Sequence, residues 1–323
     1  MNQQEKTNRK SPVLLVNILI PAIVIALFFG GYKLLCIAQA SMPTSATTLN
    51  SKIIATSPQM PDKFLFAGEE VPLQYFDVYE SFERELITTC YSHTTTLINL
   101  KRRARYYPMI ETILRQYGVP DDFKHLAVAE SNLSNAVSSV GAKGFWQFMD
   151  PTAKQFDLII NENVDERYHI EKSTHAACKF LLRAYKKYQN WSLVMASYNF
   201  GSGNLDETIK TQKADNYYDL WLNTETARYV FRILAIKLVY DNPQQYGFDL
   251  KPVEEYQAIP TYDVKVDTSI TNLAYFAQSQ GTNYKMLKYF NQWLRQSNLL
   301  NKERREYFIK IPEKNARIRT SNQ

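Results

Sequence analysis

Residues 126–156, reading L-A-V-A-E-S-N-L-S-N-A-V-S-S-V-G-A-K-G-F-W-Q-F-M-D-P-T-A-K-Q-F, constrain this chain more than any other stretch. Ahead of them, Asp121 and Asp122 follow Pro120 and mark a helix start. Phe123, Leu126, Ala127 and Glu130 then recur at i, i+3, i+4 and i+7. That spacing puts a carboxylate on the apolar stripe. Loss of hydration there penalises the charged form and raises the pKa, the condition a general acid needs near neutral pH. A glutamate so placed can also end a helix and reach back to water, so the residues after it matter. They include the glycine turn G-A-K-G at 141–144, which permits close backbone approach, and then Phe145, Trp146, Gln147, Phe148 and Met149. Aromatic and Met side chains offer flat apolar faces, and Ser138 and Gln147 offer donors and acceptors, a composition that suits a groove wall. The aromatics alone would equally suit a core.

E-S-N-L at 130–133, S-S-V-G-A-K-G-F-W-Q-F-M at 138–149 and T-A at 152–153 together resemble the signature of the lytic transglycosylases of glycoside hydrolase family 23, which have a goose-lysozyme-like fold. A second block, A-S-Y-N-F-G-S-G at 196–203, resembles that family's A-Y-N-x-G motif. A third, E-T-A-R-Y-V at 225–230, resembles a helix of its membrane-bound D group. The resemblance implies an all-helical, lysozyme-like catalytic domain that cleaves the MurNAc–GlcNAc bond of peptidoglycan and forms 1,6-anhydro-MurNAc. Glu130 would be the single acid and base, with assistance from the substrate's own N-acetyl group. Carried over residue by residue, Ser138 and Gln147 would contact the N-acetylated sugars, with Phe148 and Met149 lining the groove. Tyr198 would hydrogen-bond near Glu130 and the reacting N-acetyl group, Asn199 would support that turn, and Tyr229 would join the substrate site. Asp150, just before Pro151, reads as a helix N-cap and so as structural. A hydrolytic lysozyme of goose type would use the same acid with extra carboxylates near the cleft, and a non-catalytic wall-binding protein would tolerate loss of Glu130.

The chain opens with Lys6, Arg9 and Lys10 and then runs from 13 to 31 without a charge, long enough to cross a bilayer with the basic flank left in the cytoplasm. An anchor over 13–35 competes with a cleaved signal peptide, because A-Q-A at 38–40 has the form of a cleavage site. Either way the remainder is expected on the periplasmic side of the cell envelope. Beyond residue 40 the chain holds 34 basic and 31 acidic residues, a balance compatible with an anionic wall polymer and too weak for nucleic acid. The basic run 101–105 reads as a solvated helix end. His93, His125, His169 and His175 show no metal-ligand spacing, His125 reads as a helix-surface residue, and no cofactor is implied. Cys90 and Cys178 could form one disulfide, with a buried free thiol the default for Cys178.

The fold class expected is mainly α. After a flank (1–12), the membrane segment (13–35) and a Ser/Thr/Pro-rich linker (41–75) comes the catalytic domain (76–251). A small α+β module (255–312) and a polar tail (313–323) follow. Helices are expected at 80–104, 108–117, 121–131, 145–149, 151–156, 171–189, 191–199 and 224–241, the seventh apolar nearly all round and hence central. Beyond 260 the order is strand, two short helices and strand, at 262–266, 272–280, 283–290 and 307–311. That order resembles a divergent LysM module, a glycan binder; the alternative is a small cap packed on the catalytic domain.

Overall fold

The computed structural model describes residues 56–318. The flank, the membrane segment and the start of the linker therefore lie outside the described residues, as do residues 319–323. Among the described residues no helix is long and apolar enough to cross a membrane.

A two-residue hairpin, β1 (Leu65–Phe66) with β2 (Glu69–Glu70), leads into the helices. It does more than lead: Phe66 packs edge-on against Phe123, and the Glu69 carboxylate accepts from the backbone N–H groups of Trp191 and Ser192, placing an anion on a helix N-terminus. The first long helices are α1 (Phe76–Tyr91) and α2 (His93–Tyr117). Their break falls at Ser92, not at the expected Pro108. Pro108 is exposed, while Tyr107, Ile110, Ile113 and Leu114 around it are buried. Core packing of both halves thus outweighs the one hydrogen bond that proline removes. A tight turn at Asp121–Phe123 then opens α3 (Lys124–Ser131), which ends on Asn132 in the left-handed conformation.

Residues 145–149, expected as a helix, form a turn. Gly144 and Gln147 both sit at positive φ, which no α-helix accommodates, and Lys143 bridges to both Val137 and Phe148. Next come α4 (Asp150–Gln155), α5 (Ile170–Tyr188) and α6 (Trp191–Phe200). The N-cap of α4 is Met149, so Asp150 does not cap it; its carboxylate pairs with Lys154 at 2.6 Å. The α6 helix is buried over most of its length and packs on α5, on α7 (Ser202–Gln212) and on α8 (Thr224–Asp241). The α7 helix was not expected, because Leu205 is its only buried residue and no apolar stripe marks it. Cys90 and Cys178 are both free and buried.

The C-terminal module has the expected order: β3 (Thr261–Val266), α9 (Leu273–Ser279), α10 (Tyr284–Phe290) and β4 (Tyr307–Pro312), with β3 antiparallel to β4 from Thr261↔Pro312 to Val266↔Tyr307. Buried Asn291 ties α10 to β4, exchanging two hydrogen bonds with the backbone of Lys310. The module's core of Leu273, Leu287, Leu294, Leu299, Ile309 and Ile311 is completed by Val164 and Tyr168 from the helical domain. Backbone bonds follow the same seam, from Asp165 N–H to the Trp293 carbonyl (2.9 Å) and from Arg295 N–H to the Asn163 carbonyl (2.8 Å). The basic run 101–105 lies mid-helix in α2, not at a solvated end. Arg103 donates to the Tyr240 carbonyl and reaches Glu255, while Arg105 donates to the Gln257 carbonyl and to Tyr289 Oη. These basic side chains fasten the connecting segment to the helical domain.

Leu294 is fully buried on this seam. Leu294→Ala is expected to cost about 2–5 kcal/mol by chemical denaturation and to speed amide exchange at Asp165. Unchanged exchange at Asp165 would show that the module does not brace that segment.

Candidate active site

Glu130 occupies the last turn of α3, a helix in which His125, Leu126, Ala127 and Val128 are all buried. Its side chain is half-buried, and the Tyr229 hydroxyl donates to its Oε1. Burial pushes the Glu130 carboxyl up to about 7; the Tyr229 hydrogen bond and the Arg232 cation pull it back down, and the Glu225 charge adds to the rise. A carboxyl group near 7 is poised to give and take a proton at neutral pH.

What keeps Tyr229 there is the placement of α8. Its first turn is capped by Asn223, whose Oδ1 accepts from Thr226 N–H at 2.9 Å. Toward α1, Arg228 pairs with Glu85 at 2.7 Å and Arg232 stands 3.9 Å from the same carboxylate. Glu85 is only 1% exposed, so these cations offset a charge that burial would otherwise make costly. Asn199, at the end of α6, donates to Glu225 at 3.1 Å and accepts from Thr226 Oγ1 at 2.8 Å. The A-S-Y-N-F-G turn is thereby stitched to the start of α8.

Tyr198 departs from its expected contact. Its hydroxyl donates to the Trp146 carbonyl at 2.7 Å, and the bond to Glu130 is made by Tyr229. The Tyr198 ring packs between Phe180 and Phe148, with centroids 4.8 and 6.0 Å away, so it anchors the aromatic turn to α6. Burial raises its phenol well above the usual range, with the Glu130 charge adding to the rise.

The turn that carries Ser138 and Gln147 is held mainly by its own backbone. Ser138 Oγ accepts from Ala142 N–H at 3.0 Å, and Gln147 Nε2 donates to the Ala136 and Gly144 carbonyls. Neither side chain pairs with Glu130 among the described residues. Phe148 is buried against Tyr198, whereas Met149 stands 42% exposed. Gly144 is required here: at φ +83° a Cβ would lie 1.9 Å from the Arg167 carbonyl oxygen.

His125 is fully buried, not on a helix surface, with Nδ1 at 3.1 Å from Tyr107 Oη and Nε2 at 3.4 Å from Asp241. Burial lowers its pKa. Asp122, His125 and Asp241 are close enough to share a cation, but Lys237 pairs with Asp122 at 2.7 Å and Asp241 at 2.8 Å and already supplies the positive charge. Sequence reasoning did not single out Glu225, Arg232 or Glu85. The first two had a signal, since Glu225 and Arg232 fall four before and three after Tyr229, on one helix face.

The family profile described as the transglycosylase SLT domain matches residues 108–221, and that described as the soluble lytic transglycosylase C-terminal LysM-like domain matches 262–315. This chain carries an SLT transglycosylase domain. The chain is homologous to membrane-bound lytic murein transglycosylase D of Escherichia coli (strain K12), with 28% identity over 264 residues, 79% of this chain and 56% of that protein. It thus spans little more than half the length of that relative. Two solved structures are also similar. One is the 70 kDa soluble lytic transglycosylase of Escherichia coli (18% identity, TM-score 0.39, 56% of this chain and 32% of that one). The other is the lytic transglycosylase Slt of Pseudomonas aeruginosa (17% identity, TM-score 0.38, 55% of this chain and 35% of that one). Glu130, Ser138, Gln147, Tyr198 and Asn199 all lie within the matched SLT segment, whereas Tyr229 on α8 lies beyond it.

A hydrogen bond donated to a carboxylate favours its charged form, so deleting it must raise the pKa. Tyr229→Phe is expected to move the Glu130 titration above its starting value of about 7, followed by NMR of carboxyl-labelled glutamate. A downward shift would mean that the phenol does not stabilise the carboxylate.

Proposed function

We propose that this protein is a peptidoglycan lytic transglycosylase, cleaving the β-1,4 bond between MurNAc and GlcNAc and releasing 1,6-anhydro-MurNAc ends. The observation that carries this reading is a single carboxyl group, Glu130, at the end of α3 with the Tyr229 hydroxyl donating to it and with burial pushing its pKa up to about 7. Such a group can serve first as acid and then as base.

In the first step protonated Glu130 gives its proton to the glycosidic oxygen as the bond to the anomeric carbon breaks. The N-acetyl oxygen of the same sugar attacks that carbon, so no protein nucleophile is needed. Tyr229 and Arg232 stabilise the carboxylate left on Glu130. In the second step Glu130 takes the proton of the sugar's C6 hydroxyl, the C6 oxygen displaces the N-acetyl oxygen, and the ring closes. The acid is regenerated and no water is consumed.

In this reading Ser138, Gln147 and Met149 contact the sugars, with Phe148 supporting the groove wall from beneath. Asn199 and Tyr229 border the reacting centre, and Tyr198 acts through the Trp146 turn. The LysM-like module contributes glycan affinity. The basic flank and apolar segment at 1–35 place the enzyme at the envelope, anchored or exported.

Glu225 supports a second reading. Its carboxylate is exposed, is held by Asn199, and acts electrostatically on Glu130, so it could activate water as in a hydrolytic lysozyme. Mass spectrometry of digested sacculi separates the two, because the anhydro product is lighter by one water. Glu130→Gln is expected to fold and to retain less than about a hundredth of the activity, the usual worth of acid–base catalysis. Glu225→Gln is expected to keep releasing anhydro ends. Hydrolysed ends from the wild type, lost in Glu225→Gln, would select the lysozyme reading.

A further inference from the structure

Three of the chain's four tryptophans, Trp146, Trp191 and Trp293, are buried, whereas Trp221 is 88% exposed. Tryptophan is highly buried on average, and this one does not stand on a loose loop. The side chain of Gln212, the last residue of α7, clamps its backbone: Oε1 accepts from Trp221 N–H at 2.7 Å and Nε2 donates to the Trp221 carbonyl at 2.8 Å. Just before it, buried Tyr217 donates to the Ala227 carbonyl of α8 at 2.8 Å. Just after it, Leu222 is buried and Asn223 caps α8. An indole on so fixed a backbone is a preorganised apolar face, which binds with little further loss of freedom.

The surroundings of the indole select its occupant. Docking to a protein or a bilayer calls for a wider apolar patch, and no other large apolar side chain from 150 to 252, the stretch holding α4 to α8, is exposed. The neighbours of Trp221 are instead amides and hydroxyls: Gln212, Asn216, Asn223 and Thr224. Exposed Asn223 keeps its amide NH2 without a partner among the described residues, its Oδ1 being taken by the cap. One flat aromatic face with amides beside it suits a pyranose ring, whose C–H groups lie on the indole while its hydroxyl and N-acetyl groups take hydrogen bonds. The position suits a glycan strand as well. Glu225, in the first turn of α8, is held by Asn199, and Tyr229 on the same helix donates to Glu130. From Asn223 to Tyr229 the helix rises about 9 Å, and the two residues back to Trp221 add at most about 7 Å. We propose that Trp221 is an outer glycan platform, on which a sugar of the bound strand stacks beyond those at Glu130. This rests on the transglycosylase reading.

Because the other tryptophans are buried, iodide quenching of the intrinsic fluorescence reports on Trp221. Adding a β-1,4-linked GlcNAc hexamer to the Glu130→Gln protein should shield Trp221 saturably. Absence of shielding, or shielding by phospholipid vesicles and not by the hexamer, overturns the proposal. In turnover, Trp221→Ala is expected to raise KM on long glycan strands about tenfold, equivalent to about 1.4 kcal/mol, with kcat and melting temperature unchanged. Tetrasaccharides cut at their central bond should be unaffected, and Trp221→Tyr, which keeps an aromatic face, should recover most of the loss. An unchanged KM on long strands, or an equal rise on both substrates, also overturns the proposal. If the wild type releases no anhydro ends while the hexamer still shields Trp221, the transglycosylase reading fails and the platform stands.

Discussion

The contact between Tyr229 and Glu130 joins residues that are 99 apart in sequence, and much of the domain serves to hold it. A carboxyl group at the end of α3 is costly to ionise once packed against α8, and the phenol limits that cost without removing it. The balance requires α8 to keep its distance and rotation. Glu85 does this from α1 by gathering Arg228 and Arg232 onto one face, and Asn199 does it from α6 by gripping Glu225 and Thr226. Removing either anchor would act on the acid without touching it.

A second line of support runs from the C-terminal module toward the aromatic turn. Asp165 takes the Arg167 guanidinium in two bonds, at 2.9 and 2.7 Å, and both residues are buried. Arg167 Nη1 donates to the Phe148 carbonyl at 3.3 Å, and the Arg167 carbonyl lies where any side chain on residue 144 would have to go. The backbone N–H of Asp165 donates to Trp293 in the module. Buried ion pairs contribute little net stability against apolar replacements, yet breaking one is expensive. The pair therefore fixes geometry more than it adds stability. Through it, the module is mechanically continuous with the turn that Tyr198 holds at Trp146.

Where the sequence was legible, the information was local. The stripe of Phe123, Leu126, Ala127 and Glu130 marked a helix and placed an acid on its buried side. The apolar run 191–198 marked the central helix, and alternation at 262–266 marked a strand, because side-chain period and burial are written directly in residue order. Local reading failed where a distant partner chose the outcome. Pro108 continues a helix because core contacts on both sides outweigh one lost bond, and residues 145–149 turn because Gly144 and Gln147 take positive φ while Lys143 bridges to Val137 and Phe148. His125 is buried because Tyr107 and Asp241 meet it from other helices, and the basic run 101–105 faces a connecting segment that residue order does not reveal.

The sequence by itself determined that one carboxylate would sit on an apolar helix face a few residues before a glycine turn and a cluster of aromatics, with a βααβ module to follow. Only the tertiary structure decided which tyrosine meets that carboxylate. Tyr198 and Tyr229 both stand in motif blocks, and nothing in their spacing ranks them. The relative placement of α3, α6 and α8 does, sending one hydroxyl to the Trp146 carbonyl and the other to Glu130. Hydrogen bonds act over about 3 Å, a tolerance that packing of whole helices sets and that periodicity along a single chain cannot express.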